Sequence, residues 1–89
     1  MTAAYREFFG TAEDLMRRGA LGEAERSLLL ALNELRGYPP HDERWLEIYS
    51  SLGRLYIQQA NYGRAAQIYI RSLRILERVN QAKYLKTVA

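Results

Sequence analysis

The sequence predicts an all-α protein built from two helical hairpins, and three observations carry this prediction. Apolar residues recur at intervals of three and four in four segments, which is the spacing of one face of a helix. No segment alternates apolar and polar residues with period two, as a half-buried strand would. The prolines Pro39 and Pro40 must lie in a loop, and they divide the chain into halves that each contain two periodic segments.

Length and composition restrict the class of protein. The chain has 89 residues, enough for one domain, and its 48% hydrophobic and 26% charged residues are typical of a chain that folds. It has no cysteine, so no disulfide framework is expected. No apolar run approaches the roughly 18 residues of a membrane span, and the first residues lack the pattern of an export signal. We therefore expect a cytoplasmic protein without a membrane segment.

The first half predicts two helices joined by a tight turn. The apolar stripe of the first helix consists of Phe8, Phe9, Ala12, Leu15 and Met16, and that of the second consists of Ala24, Leu28, Ala31, Leu32 and Leu35. The turn lies at residues 19–22. Gly19 is suited to the left-handed conformation that often ends a helix, because it has no Cβ.

The second half repeats this plan after the proline loop. Asp42 is positioned as an N-cap, because its carboxylate can accept hydrogen bonds from the first free amides of a helix. That helix is predicted to run for about 16 residues. Its stripe consists of Trp45, Ile48, Tyr49, Leu52, Leu55 and Tyr56, and after a break at residues 60–63 the next stripe consists of Ala65, Ala66, Ile68, Tyr69, Leu73 and Leu76.

The tail allows two arrangements. Residues 77–89 contain neither Gly nor Pro, so they can continue the preceding helix. Alternatively they form a separate capping helix that folds back on the second hairpin, with Val79, Ala82, Leu85 and Val88 facing inward. The predicted domain comprises repeat one at about 4–37, a loop at 38–42, repeat two at about 43–77 and a C-terminal helix at about 78–89.

A shift of 41 residues aligns the two hairpins, bulky residues with bulky and small with small. The segment Tyr49-x-x-Leu52-Gly53-x-x-Tyr56, followed by Ala65-x-x-x-Tyr69, resembles the tetratricopeptide repeat, here in a version longer than the usual length of about 34 residues. The resemblance implies an α-α superhelix of stacked hairpins. It also implies non-catalytic binding of a protein or peptide, as a module or adaptor, without a cofactor.

In the resembled family, peptides bind in a concave groove lined by the first helix of each hairpin. By register, that groove would contain Arg6, Phe9, Glu13, Arg17, Glu47, Ser50, Ser51, Arg54 and Gln58. Some family members hold a C-terminal carboxylate with Lys and Asn on this face, but Phe9, Glu13 and Ser51 occupy the corresponding positions, so chaperone tails are not implied. Arg54, with Gln58 one turn on, is the best candidate for a partner's carboxylate.

The charged groove residues could also pair with one another instead of binding a ligand. Arg6 aligns with Glu47 and Glu13 with Arg54, so neighbouring first helices are positioned to form ion pairs across the groove. Pairing within the groove would use the same side chains that a ligand would need.

Two repeats are too few to complete a solenoid core, so we expect a further structural element to extend it. Solenoids usually need about three repeats, and this chain has two and a tail. Three arrangements supply the remainder: a tail that folds back as a cap, the open end of hairpin two paired with another copy, or a longer parent array. We expect a homodimer, and the candidates for self-association or capping are Leu73, Leu76, Val79 and Leu85. A small homodimeric chaperone or scaffold of the resembled family is therefore the first alternative function.

Charge distribution gives a second argument for association. Residues 1–53 carry six basic and nine acidic side chains, whereas residues 54–89 carry seven basic side chains and only Glu77 as an acid. Four of the basic residues, Arg64, Arg71, Arg74 and Arg78, form one row on the fourth helix. A basic nucleic-acid-binding protein is the second alternative function, but the row is more typical of a solvated face or a surface for an acidic protein.

No pattern in the sequence predicts catalysis. His41 is the only histidine and lies in the proline loop without a visible second ligand or partner. Ser50 and Ser51 lack the turn that presents a nucleophilic serine, and there is no glycine-rich phosphate loop. We therefore expect neither an enzyme nor a metal site.

Overall fold

The computed structural model describes the backbone of residues 2–88 and the side chains of residues 4–85. Within that range the chain forms four helices and no strand: α1 (Thr2–Arg17), α2 (Leu21–Glu34), α3 (Glu43–Gln58) and α4 (Tyr62–Val88). Helix α1 packs against α2 and α3 against α4, and the two hairpins meet mainly through α2 and α3. The predicted all-α fold of two stacked hairpins is confirmed.

The turns inside the two hairpins have the same backbone structure. Gly19 has φ 82° and Ala60, which is 41 residues later, has φ 59°, so both lie in the left-handed region. The amide of Ala20 donates to the carbonyl of Leu15 at 2.9 Å, and the amide of Asn61 donates to the carbonyl of Tyr56 at 2.8 Å. The 41-residue shift found in the sequence is therefore a repeat of backbone geometry as well.

The proline loop is fixed by side chains from the start of α3. Asp42 is the N-cap, as predicted, and its carboxylate accepts a hydrogen bond from the Arg44 amide at 2.9 Å. The indole Nε1 of Trp45 donates to the carbonyl of Pro39 at 3.0 Å, and the Arg44 guanidinium lies 4.7 Å from the centre of the Tyr38 ring. These contacts set the angle at which the second hairpin leaves the first.

The core lies where the two hairpins meet. Its largest fully buried side chains are Leu28, Leu35, Ile48, Leu52, Leu55 and Ser51. Small residues allow the helices to approach closely, because Ala12, Ala24 and Ala31 are all fully buried. Ser51 is the one polar member of this core among the described residues.

Helix α4 is one continuous helix of 27 residues, so the separate capping helix considered from the sequence does not form. At 1.5 Å per residue it is about 40 Å long, well beyond the 16-residue α3. Val79 is buried, and Lys83 Nζ forms an ion pair with Glu43 at the start of α3 at 3.1 Å. Leu85 is exposed, and the side chain of Val88 lies outside the described residues.

The inward stripe of α4 differs from the predicted one. Leu73 and Leu76, which the sequence placed in the apolar stripe of this helix and among the candidates for self-association or capping, are 61% and 42% exposed. The less exposed positions are Ala65, Ile68, Ser72, Ile75, Val79 and Ala82, which recur at three and four. Two adjacent apolar stripes run along α4, and α3 covers only one of them. None of the described helices is long and apolar enough to cross a membrane.

Candidate functional site

Three residues of the predicted groove bind one another. Ser51 Oγ donates to Glu13 Oε2 at 2.7 Å and accepts from Arg54 Nη2 at 3.0 Å, while Arg54 Nη2 also lies 3.3 Å from the same Glu13 oxygen. The ion pair between Glu13 and Arg54 therefore forms, as the alternative from the sequence proposed. Ser51 is fully buried, so it joins α1 to α3 and does not face a ligand.

The second pair suggested by register is replaced by another contact. The Tyr5 hydroxyl donates to the Glu47 carboxylate, so among the described residues Glu47 has a tyrosine partner rather than Arg6. Burial, followed by this hydrogen bond, raises the pKa of the Tyr5 phenol. Arg6 and Glu47 line a cavity of mixed charge together with Asp42, Lys83 and the exposed His41. Its opposing charges define no preferred ligand sign.

The remaining groove residues do not form a recognition site with these. Phe9 stacks on Tyr5, with ring centres 6.1 Å apart, and Arg17 forms an ion pair with Asp14 at 3.3 Å. Gln58 is exposed near the end of α3. Within the described chain, no three His, Cys, Asp or Glu side chains come together as a metal site. Of the groove residues, Glu13, Glu47, Ser51 and Arg54 thus make contacts between the two hairpins, whereas Phe9 and Arg17 contact residues of their own helix.

The basic row on α4 is shorter than its sequence suggests. Arg64 lies 3.6 Å from Glu25, and its guanidinium is 5.8 Å from the centre of the Tyr56 ring. The Tyr56 hydroxyl donates to the same Glu25 carboxylate at 2.8 Å, and burial followed by this bond raises the Tyr56 pKa. Arg64 therefore connects the two hairpins, which leaves Arg71, Arg74 and Arg78 as the exposed row.

An apolar surface that no helix of the described chain covers lies on the second hairpin and is here named the open face. It comprises Leu46, Ser50 and Ile57 of α3 with Tyr62, Tyr69, Leu73 and Leu76 of α4. A shallow groove runs along it, lined mainly by apolar side chains. Tyr69, Leu73 and Leu76 are all more than a third exposed, which is unusual for three large apolar residues on adjacent turns.

The internal repeat shows what kind of surface the open face is. At a shift of 41, Tyr69, Leu73 and Leu76 correspond to Leu28, Leu32 and Leu35 of hairpin one. Leu28 and Leu35 are fully buried and Leu32 packs against the core, on the side where α3 crosses α2. The open face of hairpin two is therefore equivalent to a face that receives a helix in hairpin one.

Sequence reasoning identified only part of the open face. It named Leu73 and Leu76, and it placed Ser50 in the groove. It also named Val79 and Leu85. Val79 is only 3% exposed and belongs to the stripe of α4 that packs against α3, whereas Leu85 is 65% exposed. Leu46, Ile57, Tyr62 and Tyr69 were missed as surface residues. Their signal was present in the 41-residue shift, because each corresponds to an apolar residue of hairpin one.

Comparisons with protein-family models, with curated proteins and with solved structures gave no match.

Proposed function

We propose that this chain is a non-catalytic protein–protein interaction module that binds a helical segment of a partner on its open face. The observation that carries the proposal is the equivalence of Tyr69, Leu73 and Leu76 to the buried leucines beneath α3. A surface of this shape and polarity is stabilised when an amphipathic helix covers it, because burial removes apolar area from water.

The resemblance to the tetratricopeptide repeat supports the same function. Such hairpins bury apolar faces by stacking on a neighbouring helix, and the end of a short array leaves one face without a neighbour. The groove between the first helices is the weaker candidate here, since Glu13, Ser51 and Arg54 already satisfy one another.

Capture experiments with matched surface variants test the proposal. The intact chain, immobilised, is used to capture proteins from an extract of its source cells, and Leu73→Glu is compared with Leu30→Glu. Leu30 is 45% exposed on α2 and lies outside the open face, so it controls for the loss of an exposed leucine. Gln58→Glu changes the groove without touching the internal network.

We expect Leu73→Glu to abolish specific capture, while Leu30→Glu and Gln58→Glu retain it. Capture that survives Leu73→Glu but is lost in Gln58→Glu would assign binding to the groove instead. Circular dichroism of each variant separates lost binding from lost folding.

A further inference from the structure

The two ends of the molecule differ in polarity, and this limits what can cover the open face. The residues of α3 that are buried in the core include Ile48, Leu52 and Leu55. At a shift of 41 residues, the corresponding positions of α1 are Glu7, Thr11 and Asp14. Glu7 and Thr11 are exposed and Asp14 is half-buried, so the outer face of hairpin one is polar.

A polar outer face on α1 excludes the simplest open assembly. In head-to-tail stacking, α1 of one copy would occupy on hairpin two the place that α3 occupies on hairpin one. That arrangement would bury Glu7, together with Asp14 and its ion pairs to Arg17 and Arg18, against Leu73 and Leu76. It would cost free energy because these charged groups lose water. The polar outer face of hairpin one is therefore unsuited to cover the open face. The open face of a second copy is apolar and matches it in polarity.

We infer that the open face is covered by a second copy of this chain, with the two α4 helices antiparallel about a two-fold axis between Leu73 and Leu76. The inference rests on the proposed function, because both use the open face. Along α4 the seam is Tyr62, Ala66, Tyr69, Leu73, Leu76 and Asn80, spaced alternately by four and three residues. That spacing is the one with which paired helices keep a continuous contact.

Charge selects the antiparallel direction. Glu77 is the only acidic residue of α4, and within the described chain neither Glu77 nor Arg74 has an ion-pair partner. In the antiparallel pair Leu73 of one copy faces Leu76 of the other, and Arg74 comes within one turn of Glu77 of the second copy. The two-fold axis forms this pair twice. In a parallel pair, equivalent side chains lie on opposite sides of the seam, so Arg74 of one copy and Glu77 of the other would not meet.

Self-pairing also agrees with symmetry. A surface that complements itself through a two-fold axis closes after two copies and leaves no apolar end free.

Sedimentation of the intact chain and charge-swapped variants tests the inference. R74E gives a copy with two acidic side chains at the interface, and E77R gives a copy with two basic ones. Each should weaken dimerisation by at least about threefold, because two attractive contacts become repulsive. A mixture of R74E and E77R should associate more tightly than either alone, since the mixed pair restores both contacts. R26E, at an exposed position of α2 outside the open face, should dimerise like the wild type.

Three results would overturn the inference: a wild-type monomer at the highest soluble concentration, a dimer that L73E leaves intact, or a mixture that associates no more tightly than its components. If the wild type is monomeric while L73E still abolishes capture of another protein, the second copy is excluded and the proposed function stands. If the charge swaps behave as expected but L73E leaves capture of other proteins unchanged, dimerisation stands and the binding of other proteins on this face is excluded. Circular dichroism confirms that each variant is folded.

Discussion

The ring of Tyr69 lies directly against the backbone of Gly53, so closely that a Cβ at position 53 would fall 2.6 Å from Tyr69 Cζ and 2.7 Å from Cε1. The Tyr69 ring thus covers the backbone of α3 at Gly53. The absence of a side chain at Gly53 thus sets the distance between α3 and α4 at this point.

Replacing Gly53 should therefore destabilise the second hairpin. In Gly53→Ala the Tyr69 ring must swing outward, and in Gly53→Leu the added volume should cost about 1 to 3 kcal/mol. Ala65→Leu, at another buried small residue of this hairpin, should cost a similar amount. Gly10→Ala is the control, because nothing lies within 4 Å of a Cβ there and the change should stabilise the exposed helix by about 0.5 to 1 kcal/mol. Equal melting temperatures for Gly53→Ala and Gly10→Ala would contradict the close contact.

The left-handed conformation of Ala60 predicts a stabilising substitution. Ala60 has φ 59°, a conformation that costs a residue with a Cβ about 1 to 2 kcal/mol. Ala60→Gly removes this cost and adds some unfolded-state entropy, so a net gain of about 0.5 to 1 kcal/mol is expected by chemical denaturation. Ala66→Gly, on an exposed part of α4, should lose about the same amount. A loss in both variants would show that position 60 is not strained.

The two adjacent serines of α3 should respond differently to alanine. Ser51 is fully buried between Glu13 and Arg54, whereas Ser50 is exposed. We expect Ser51→Ala to lower the free energy of unfolding by about 1 kcal/mol, because the Glu13 carboxylate loses a hydrogen bond in a partly buried place. Ser50→Ala should be nearly neutral. Similar effects in both variants would contradict a role for the Glu13–Ser51–Arg54 network in holding α1 to α3.

Extension of α4 along α3 should contribute to stability through Val79. Val79→Ala removes two methyl groups from a site that is 3% exposed, and the expected cost is about 1.5 kcal/mol. Leu85→Ala, six residues later on the exposed part of the helix, should change the melting temperature of the monomer little. A neutral Val79→Ala would mean that this part of α4 does not pack on the second hairpin.

Tyr5 predicts a loss of stability in alkaline solution. Burial and the bond to Glu47 raise the pKa of Tyr5 above the ordinary value of about 10. The folded state then holds the phenolic proton more tightly than the unfolded state does, so this contribution is complete below about pH 10 and is lost as the pH rises above it. Tyr5→Phe should be less stable at neutral pH and should lose less stability between about pH 9 and 11. Denaturation curves across this range, with Tyr62→Phe as the exposed control, measure the difference; parallel curves for Tyr5→Phe and wild type would contradict it.

The spacing of apolar residues was sufficient to predict the four helices, because each helix needs an inward face whose period is set by its own geometry. The N-cap at Asp42 and the left-handed turn at Gly19 were also predictable, since both depend on neighbouring residues only. The 41-residue shift predicted the equivalence of the hairpins. Ala60 was the exception in local geometry, because alanine rarely adopts positive φ without a turn that requires it.

Only the tertiary structure decided which of the two apolar stripes on α4 faces α3. Ile68, Ser72 and Val79 lie on one stripe and Tyr69, Leu73 and Leu76 on the next, and both satisfy helical periodicity. The choice depends on how the side chains of α3 interdigitate with α4. Tyr69 lies at the edge of this contact, because its ring touches Gly53 while the residue is still 37% exposed. The same reason explains why Glu47 binds Tyr5, and why residues 78–88 continue α4: periodicity is a property of one helix, whereas these contacts need the relative positions of two.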